Sequence, residues 1–289
     1  MSLELPLILI DVQRGGPSTG LPTKTEQSDL LLAMYGRHGE APVPIVAAYS
    51  PSQCFDAVFE GVRIALKYRT PVIVLTDGYL ANGAEPWKLP DVEALPDISV
   101  PFAEEPNHGD DFWPYLRDPD TLARPWAIPG TPGLMHRIGG LEKQDGTGNV
   151  NYEPENHDFM VRLRAAKVAG IAWDIAPQAV DDPDGDAELL VIGWGSTWGA
   201  IQEACRRVRL RGRAVAHAQV THLNPFPANL GEVLSRYRRV LVPEMNLGQL
   251  SRLLRAEYLV PAESLTKVQG VPFMAAEIES KLMEMTDGR

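Results

Sequence analysis

A run of aliphatic residues near the start of the chain, which stops abruptly at an acid, most constrains the fold. Residues 7–10 are all leucine or isoleucine, Asp11 follows soon after, and residues 12–23 are dense in glycine, proline and small hydroxyls. Such a continuous run predicts a strand buried on both faces, as in a parallel sheet. Ligands of parallel sheets lie beyond the carboxyl ends of the strands, which is where this loop falls.

Arg14, Gly15 and Gly16 form the mouth of that loop. Glycines permit positive φ and close approach of the backbone to a ligand, and an arginine fork fits a carboxylate or phosphate with two hydrogen bonds. The alternative is a tight turn with a solvated arginine. An arginine directly before two glycines at a strand's end favours the anion site.

The remaining pattern predicts two α/β units joined by an irregular segment. A helix is expected over residues 24–34, with Thr23 or Thr25 as its cap, and strands over 44–48 and 71–76 flank a helix that ends at Lys67. The order β-α-β-α-β is typical of a doubly wound parallel sheet. Residues 82–151 are rich in proline and glycine and predict a binding arm, a linker or partial disorder, with an exposed loop at 139–148.

A long helix over residues 153–174 and a solvated acidic linker at 181–186 then lead to the second unit. Strands are expected at 188–192, 214–220, 239–242 and 265–268, with Ser196 as a helix cap after the first of them. We therefore divide the chain into 1–130, 131–186 and 187–289.

Composition limits the partners. The formal net charge is −11, which argues against nucleic acid and against an anionic membrane surface, and no apolar run is long enough to span a bilayer. Cys54 and Cys205 are too few to hold an iron–sulfur cluster and indicate a reduced cytoplasm, so any electron-transfer centre lies on another chain. Because a strand of the buried type begins almost at Met1, we expect a piece of a longer polypeptide.

Other signals leave alternatives open. The glycine-rich turn at 193–199 invites a nucleotide interpretation, but no acid ends the next strand, and a turn without nucleotide is favoured. His38 lines the Arg14 site or is an exposed turn residue, and Glu244 is functional, caps a helix or contacts a partner. His217 and His222 do not face one way on a strand, which argues against a metal pair, and we assign no metal ligand or catalytic side chain.

The chain resembles the alpha subunit of 2-oxoacid:ferredoxin oxidoreductases of the 2-oxoglutarate type. The resemblance covers nearly the whole chain and rests on motifs at residues 11–27, 34–40, 76–80, 193–197, 222–227 and 243–250.

The resemblance implies part of a pyrimidine-binding domain for thiamine diphosphate, followed by a transketolase C-terminal-like α/β domain. These enzymes decarboxylate a 2-oxoacid, pass electrons through iron–sulfur centres to ferredoxin and form an acyl-CoA. Thiamine diphosphate, magnesium and the cluster belong mainly to the beta subunit, so a hetero-oligomer is implied. The motif's arginine grips the substrate carboxylate, and this role falls on Arg14, with Gly15, Gly16 and Thr19 beside it.

The family's Tyr-Pro-Ile-Thr-Pro motif and its activating glutamate are not found in this chain. We therefore expect this piece to be inactive alone, with an exposed strand edge prone to self-pairing. A non-catalytic module that shapes a subunit interface, or a nucleotide-binding protein, are the alternatives.

Overall fold

The protein folds around two four-stranded sheets. The computed structural model describes residues 1–287, and within them the first sheet contains β1 (Leu7–Gln13), β2 (Ile45–Ala47), β3 (Pro71–Asp77) and β6 (His222–Asn224). Its order is β1-β3-β2-β6, with the first three strands parallel and β6 antiparallel to β2. The parallel register pairs Leu7 with Pro71 and Gln13 with Asp77, so β1 and β3 end at the same edge of the sheet.

Strand β1 forms as predicted, but its predicted burial on both faces is wrong. It pairs only with β3, and Leu7, Leu9, Ile10 and Val12 are each about half exposed. The aliphatic run therefore lies at the margin of the sheet. The expected exposed strand edge is present.

The helices of the first unit differ in part from their predicted bounds. Helix α1 spans only Leu30–Tyr35, and residues 24–29 have no regular secondary structure, so the predicted start near residue 24 and the caps at Thr23 and Thr25 are wrong. Helix α2 (Cys54–Tyr68) is followed by β3 as expected, and α3 (Gly78–Asn82) begins directly at the end of β3.

Residues 83–153 contain little regular structure, yet they pack against the body of the protein. Phe112, Tyr115 and Trp126 are buried, whereas Trp87 and Phe102 remain half exposed. Helix α4 (Pro154–Gly170) then runs into a short 3₁₀ turn at Ile171–Trp173. The aromatic side chains thus anchor the arm to its own protein.

The second sheet is entirely parallel, as predicted. Its order is β5-β4-β7-β8, made from β4 (Leu189–Trp194), β5 (Ala216–Val220), β7 (Arg239–Glu244) and β8 (Glu263–Thr266). Its helices are α5 (Trp198–Leu210), α6 (Leu230–Ser235), α7 (Gln249–Tyr258) and α8 (Ala275–Asp287). Apolar side chains from both units share one core, in which Leu30, Ile45 and Leu75 pack with Trp194 and Leu250.

Strand β6 connects the two units and was not predicted. It follows β5 after a single residue but joins the first sheet, where His222 pairs with Val46 and Asn224 with Ile45. Among the described residues, no helix is both long and apolar enough to cross a membrane.

Candidate functional site

Arg14 lies at the carboxyl end of β1, where the sequence places the candidate site. Its side chain is exposed and lines a cleft of about 590 Å³ together with Gly16, Ser18 and Ser28. Within residues 1–287, its guanidinium makes no hydrogen bond or ion pair to another side chain or carbonyl. The group is therefore free to bind an external acceptor.

The backbone at Arg14 is fixed by its neighbours. Buried Gln13 donates from Nε2 to the Thr76 carbonyl oxygen over 3.1 Å, and its Oε1 accepts from the Asp29 N–H over 3.0 Å. The Ser28 hydroxyl donates to the Arg14 carbonyl oxygen over 3.1 Å. The strand end is thus tied both to β3 and to the start of α1.

The loop closes on itself through the backbone of Gly15, and its positive φ lies at Gly20. The Gly15 N–H donates to the Lys24 carbonyl, and the Leu21 N–H donates to the Gly15 carbonyl. Neither Gly15 nor Gly16 has positive φ, whereas Gly20 has φ +48° and a Cβ there would overlap the Gly15 carbonyl oxygen. Gly20 is therefore the glycine that sterics require, whereas Gly15 and Gly16 do not adopt the positive φ that glycine permits.

The cleft is more acidic than expected for an anion site. Asp11, Glu26 and Asp29 line it beside the one guanidinium. Burial, with repulsion from Asp29, raises the pKa of Asp11, and burial raises the pKa of Glu26. Both shifts follow from the loss of hydration around the carboxyls.

The other predicted members of the site lie apart. Thr19 is exposed on the loop and does not line the cleft, and Gly15 is buried behind it. His38 is also exposed and outside the cleft, which matches the alternative of a turn residue.

Asp77 is a structural centre that the sequence analysis did not single out as a site residue. It is buried, accepts from the Thr25 hydroxyl over 3.0 Å and from the Ser196 hydroxyl over 2.5 Å, and caps α3 through the Tyr79 and Leu80 N–H groups. Ser196 therefore binds Asp77, and the prediction that its side chain caps α5 is wrong. The sequence signal that could have identified Asp77 is its position at the end of a strand and directly before Gly78.

Gln27 joins the Arg14 loop to the second unit. Its side chain is fully buried, donates to the Trp194 carbonyl over 2.7 Å and accepts from the Met245 N–H over 2.9 Å. Gly195 has φ +56°, and a Cβ there would lie 2.8 Å from Gln27 Nε2. The glycine-rich turn at 193–199 therefore packs against protein where a nucleotide phosphate would have to lie.

Glu244 has the capping role that was one of its three alternatives. It is fully buried at the start of α7, where it accepts from the Leu250 N–H over 2.6 Å and the Ser251 N–H over 3.2 Å, and from Trp194 Nε1 over 3.2 Å. Burial raises the pKa of this carboxyl.

The histidines and cysteines do not converge. His222 faces Glu60 at 3.1 Å, and His217 is buried on β5. Both cysteines are free thiols, and burial raises the pKa of Cys205 to about 12. Among residues 1–287, no group of three or more His, Cys, Asp or Glu side chains is placed to hold a metal ion.

The fold and the site define an α/β protein with two predominantly parallel sheets and an arginine cleft at the carboxyl end of a strand. Residues 1–154 match a family model described as pyruvate flavodoxin/ferredoxin oxidoreductase, thiamine diphosphate-binding, and residues 187–278 match one described as pyruvate:ferredoxin oxidoreductase core domain II. The chain belongs to the thiamine diphosphate-binding family of pyruvate flavodoxin/ferredoxin oxidoreductases.

Named relatives agree with this membership. The chain is 62% identical over 286 residues to 2-oxoglutarate oxidoreductase subunit KorA of Mycobacterium tuberculosis, a match that covers 99% of this chain and 43% of that protein. It is 32% identical over 266 residues to 2-oxoacid:ferredoxin oxidoreductase 1, subunit alpha, of Aeropyrum pernix, covering 88% of this chain and 40% of that protein. The chain thus spans less than half the length of these two relatives.

A solved structure has the same fold. The 2-oxoglutarate:ferredoxin oxidoreductase from Magnetococcus marinus, with 2-oxoglutarate, coenzyme A and succinyl-CoA bound, superimposes with a TM-score of 0.88 at 36% identity. The match covers 98% of this chain and 49% of that one.

The described residues do not by themselves fit the diphosphate end of thiamine diphosphate. They contain no cluster for the divalent cation that accompanies a diphosphate, and the Arg14 cleft sets three carboxyls beside one cation. No step of a reaction is therefore assigned to the cofactor on these residues.

Proposed function

We propose that this chain is part of the alpha subunit of a 2-oxoacid:ferredoxin oxidoreductase of the 2-oxoglutarate type. The reaction is oxidative decarboxylation of the 2-oxoacid, with formation of an acyl-CoA and transfer of electrons to ferredoxin. The names of the relatives and of the solved structure support this assignment. Residues 1–130 are part of the pyrimidine-binding domain with its arm, 131–186 are linker and long helix, and 187–289 are the transketolase C-terminal-like domain.

Arg14 binds the carboxylate of the substrate in this proposal. The observation that carries it is the exposed guanidinium in the cleft, which finds no protein acceptor within the described residues although three carboxyls line the same cleft. A guanidinium offers paired donors that match a carboxylate. Gly15 and Gly16 shape the backbone beside it, and Thr19 lies on the exposed part of the loop, outside the cleft.

The reaction also needs partners. The beta subunit carries most of the thiamine diphosphate site with its magnesium, and the iron–sulfur cluster, in a cytoplasmic hetero-oligomer. This assignment is supported by the lack of a metal cluster among residues 1–287 and by free, separated Cys54 and Cys205.

Arg14→Ala in the complete complex tests the proposal. Loss of a charge-assisted hydrogen bond costs about 1.5–3 kcal/mol, so kcat/KM for 2-oxoglutarate should fall roughly tenfold to hundredfold. Arg14→Lys keeps the charge but loses the paired donors, so its kcat/KM should lie between those of the unaltered complex and of Arg14→Ala. The steady-state rate of ferredoxin reduction, measured against 2-oxoglutarate concentration, gives kcat and KM.

Arg162→Ala is the matched control, because Arg162 is exposed on α4 and its guanidinium pairs only with Asp158. It should leave kcat and KM unchanged. If Arg14→Ala also left both values unchanged, the substrate role of Arg14 would be wrong.

The exposed apolar side chains of β1 favour a second candidate, a non-catalytic module that shapes a subunit interface. Co-purification of the chain with a cluster-bearing subunit, without activity when the remaining subunits are supplied, would support this candidate over the first.

A further inference from the structure

A cluster of buried cations lies at the end of the first sheet opposite to Arg14. Its members are the arginines and lysines packed between the arm, the N-terminal segment and α4: Arg69, Arg117, Arg124, Lys143 and Lys167. Each side chain is more than nine-tenths buried, whereas Glu4 is the one carboxylate buried among them in the described residues. Buried charges are costly unless they are paired.

Glu4 pairs with two of these cations. Its carboxylate accepts from Lys167 Nζ over 2.7 Å and from Arg117 Nη1, and it also accepts from the backbone N–H of Arg124. Arg69 has no carboxylate within ion-pair distance, and its Nη groups donate to the carbonyls of Arg124 and Pro101. Burial, with repulsion from Arg124, lowers the pKa of Arg69 to about 10.

Three donors in this cluster find no acceptor among residues 1–287. They are Nε of Arg69 and both Nε and Nη2 of Arg117, all shielded from bulk water. On a guanidinium, Nε–H and one Nη–H form the edge that engages a carboxylate or phosphate with two parallel hydrogen bonds. In Arg117, Nη1 donates to Glu4 and to the Leu122 carbonyl. The edge formed by its Nε and Nη2 has no acceptor among the described residues.

Arg69 and Arg117 share a cleft of about 790 Å³. Apolar side chains such as Val100 and Phe102 form much of its wall, and Ser99 and Thr121 contribute polar groups. The cleft lies at the amino end of β3, which Arg69 precedes by two residues, whereas Arg14 follows the carboxyl end of β1. The length of a seven-residue strand, about 20 Å, therefore separates the two sites.

The other cations of the cleft are already paired, whereas its two carboxylates accept hydrogen bonds only from hydroxyl and backbone donors. Arg63 binds Glu60 and Asp174, and Lys67 binds Asp174. Asp97 accepts from Ser99, and Asp118 accepts from Thr121 within its own turn. Among the described residues that line the cleft, the buried donors without an acceptor are thus those of two arginines.

We propose that this cleft binds an oxyanion of the phosphate class, either free or as the end group of a phosphorylated organic molecule. Binding draws the Nε–H of Arg69 and the unpartnered edge of Arg117 toward the oxyanion and neutralises part of the buried positive charge. The apolar wall contacts the organic part of a phosphate ester. The site is independent of the substrate role of Arg14.

Isothermal titration calorimetry tests the site with inorganic phosphate and with phenyl phosphate, at constant ionic strength in Tris chloride. We expect saturable binding of both anions, with phenyl phosphate tighter if the ester is the ligand class and inorganic phosphate equal or tighter if the free anion is. Arg69→Lys and Arg117→Lys keep their charges but lose the guanidinium edge, and each should weaken binding about tenfold or more.

Arg162→Lys controls for a surface arginine, and Arg14→Ala separates this site from the substrate site; both should bind phosphate as the unaltered protein does. If Arg117→Lys fails to fold by circular dichroism, Arg69→Lys decides, since Arg69 makes no ion pair. Absence of saturable binding by the unaltered protein, or unchanged binding in a folded lysine variant, would overturn the proposal.

Discussion

His217 is a buried histidine that the fold keeps neutral. Burial lowers its pKa to about 4 from an ordinary value of 6.5, and repulsion from Arg209 adds to the shift although Asp181 opposes it. Its Nε2 has no acceptor or donor partner among the described residues. Protonation in the folded state would therefore place an uncompensated charge beneath α5.

This predicts a loss of stability in acid. The unfolded chain takes up a proton near pH 6.5 but the native protein only near 4, so the free energy of unfolding falls as the pH drops between these values. The full effect of the shift is about 3 kcal/mol. Urea unfolding of His217→Gln at pH 7 and pH 5 should show a smaller acid loss than the unaltered protein.

His38→Gln is the control for this measurement, because His38 is exposed. It should reproduce the acid loss of the unaltered protein. An equal acid loss in His217→Gln would mean that other groups, such as Glu4 or Glu60, whose pKa values are lowered in the folded protein, account for the whole pH dependence.

At the scale of single residues, the sequence predicts the position of Arg14 but not the residues that hold its backbone in place. The arginine follows an unmistakable strand, so its place at a sheet end is predictable. The contacts that hold it involve Gln13, Ser28 and Gly20, and these depend on how the loop folds back. No local spacing encodes that path.

At the scale of elements, Gln27 connects the segment before α1 to the second unit through hydrogen bonds to Trp194 and Met245. Gln27→Ala would remove one of the two donors to the Trp194 carbonyl, which keeps the Thr197 hydroxyl, and would leave the Met245 N–H buried without a partner. An unsatisfied buried group costs about 1–3 kcal/mol, so we expect a loss of that size in the free energy of unfolding. Chemical denaturation measures it.

Gln144→Ala is the matched control, because Gln144 is exposed and its side chain accepts only from the Thr147 hydroxyl. Its expected effect is within about 0.5 kcal/mol. A comparable small effect in Gln27→Ala would show that water replaces the lost side chain.

The same contacts explain why α1 begins at Leu30 and not near residue 24, where the sequence predicts its start. Residues 24–29 have a composition that permits a helix, but Thr25 binds Asp77 and Gln27 binds the second unit. Tertiary hydrogen bonds thus override local propensity. Strand β6 was missed for a related reason, since three residues that pair antiparallel with a distant strand carry no periodic signal.

For the whole molecule, the sequence predicts two α/β units with parallel strands because hydrophobic runs and turns alternate along the chain. It cannot predict that β1 lies at a sheet margin, since a buried central strand and an apolar edge strand read alike. The difference lies in which strands neighbour β1 in space.

The margin at β1 predicts self-association of the chain. Strand β1 pairs on one side only, and Leu9 and Ile10 are 49% and 53% exposed, so an unpaired edge and apolar surface coincide. Edges of this kind template pairing with another strand unless a charge blocks them. Sedimentation velocity should show dimers or larger species that grow with concentration, and Leu9→Lys or Ile10→Lys should shift the protein toward monomer. Leu259→Lys, at an equally apolar position that is 89% exposed beyond α7, should leave the distribution unchanged. A monomer at all concentrations, or equal dissociation by Leu259→Lys, would contradict association through β1, because only the lysines on the strand place a charge beside its free N–H and C=O groups.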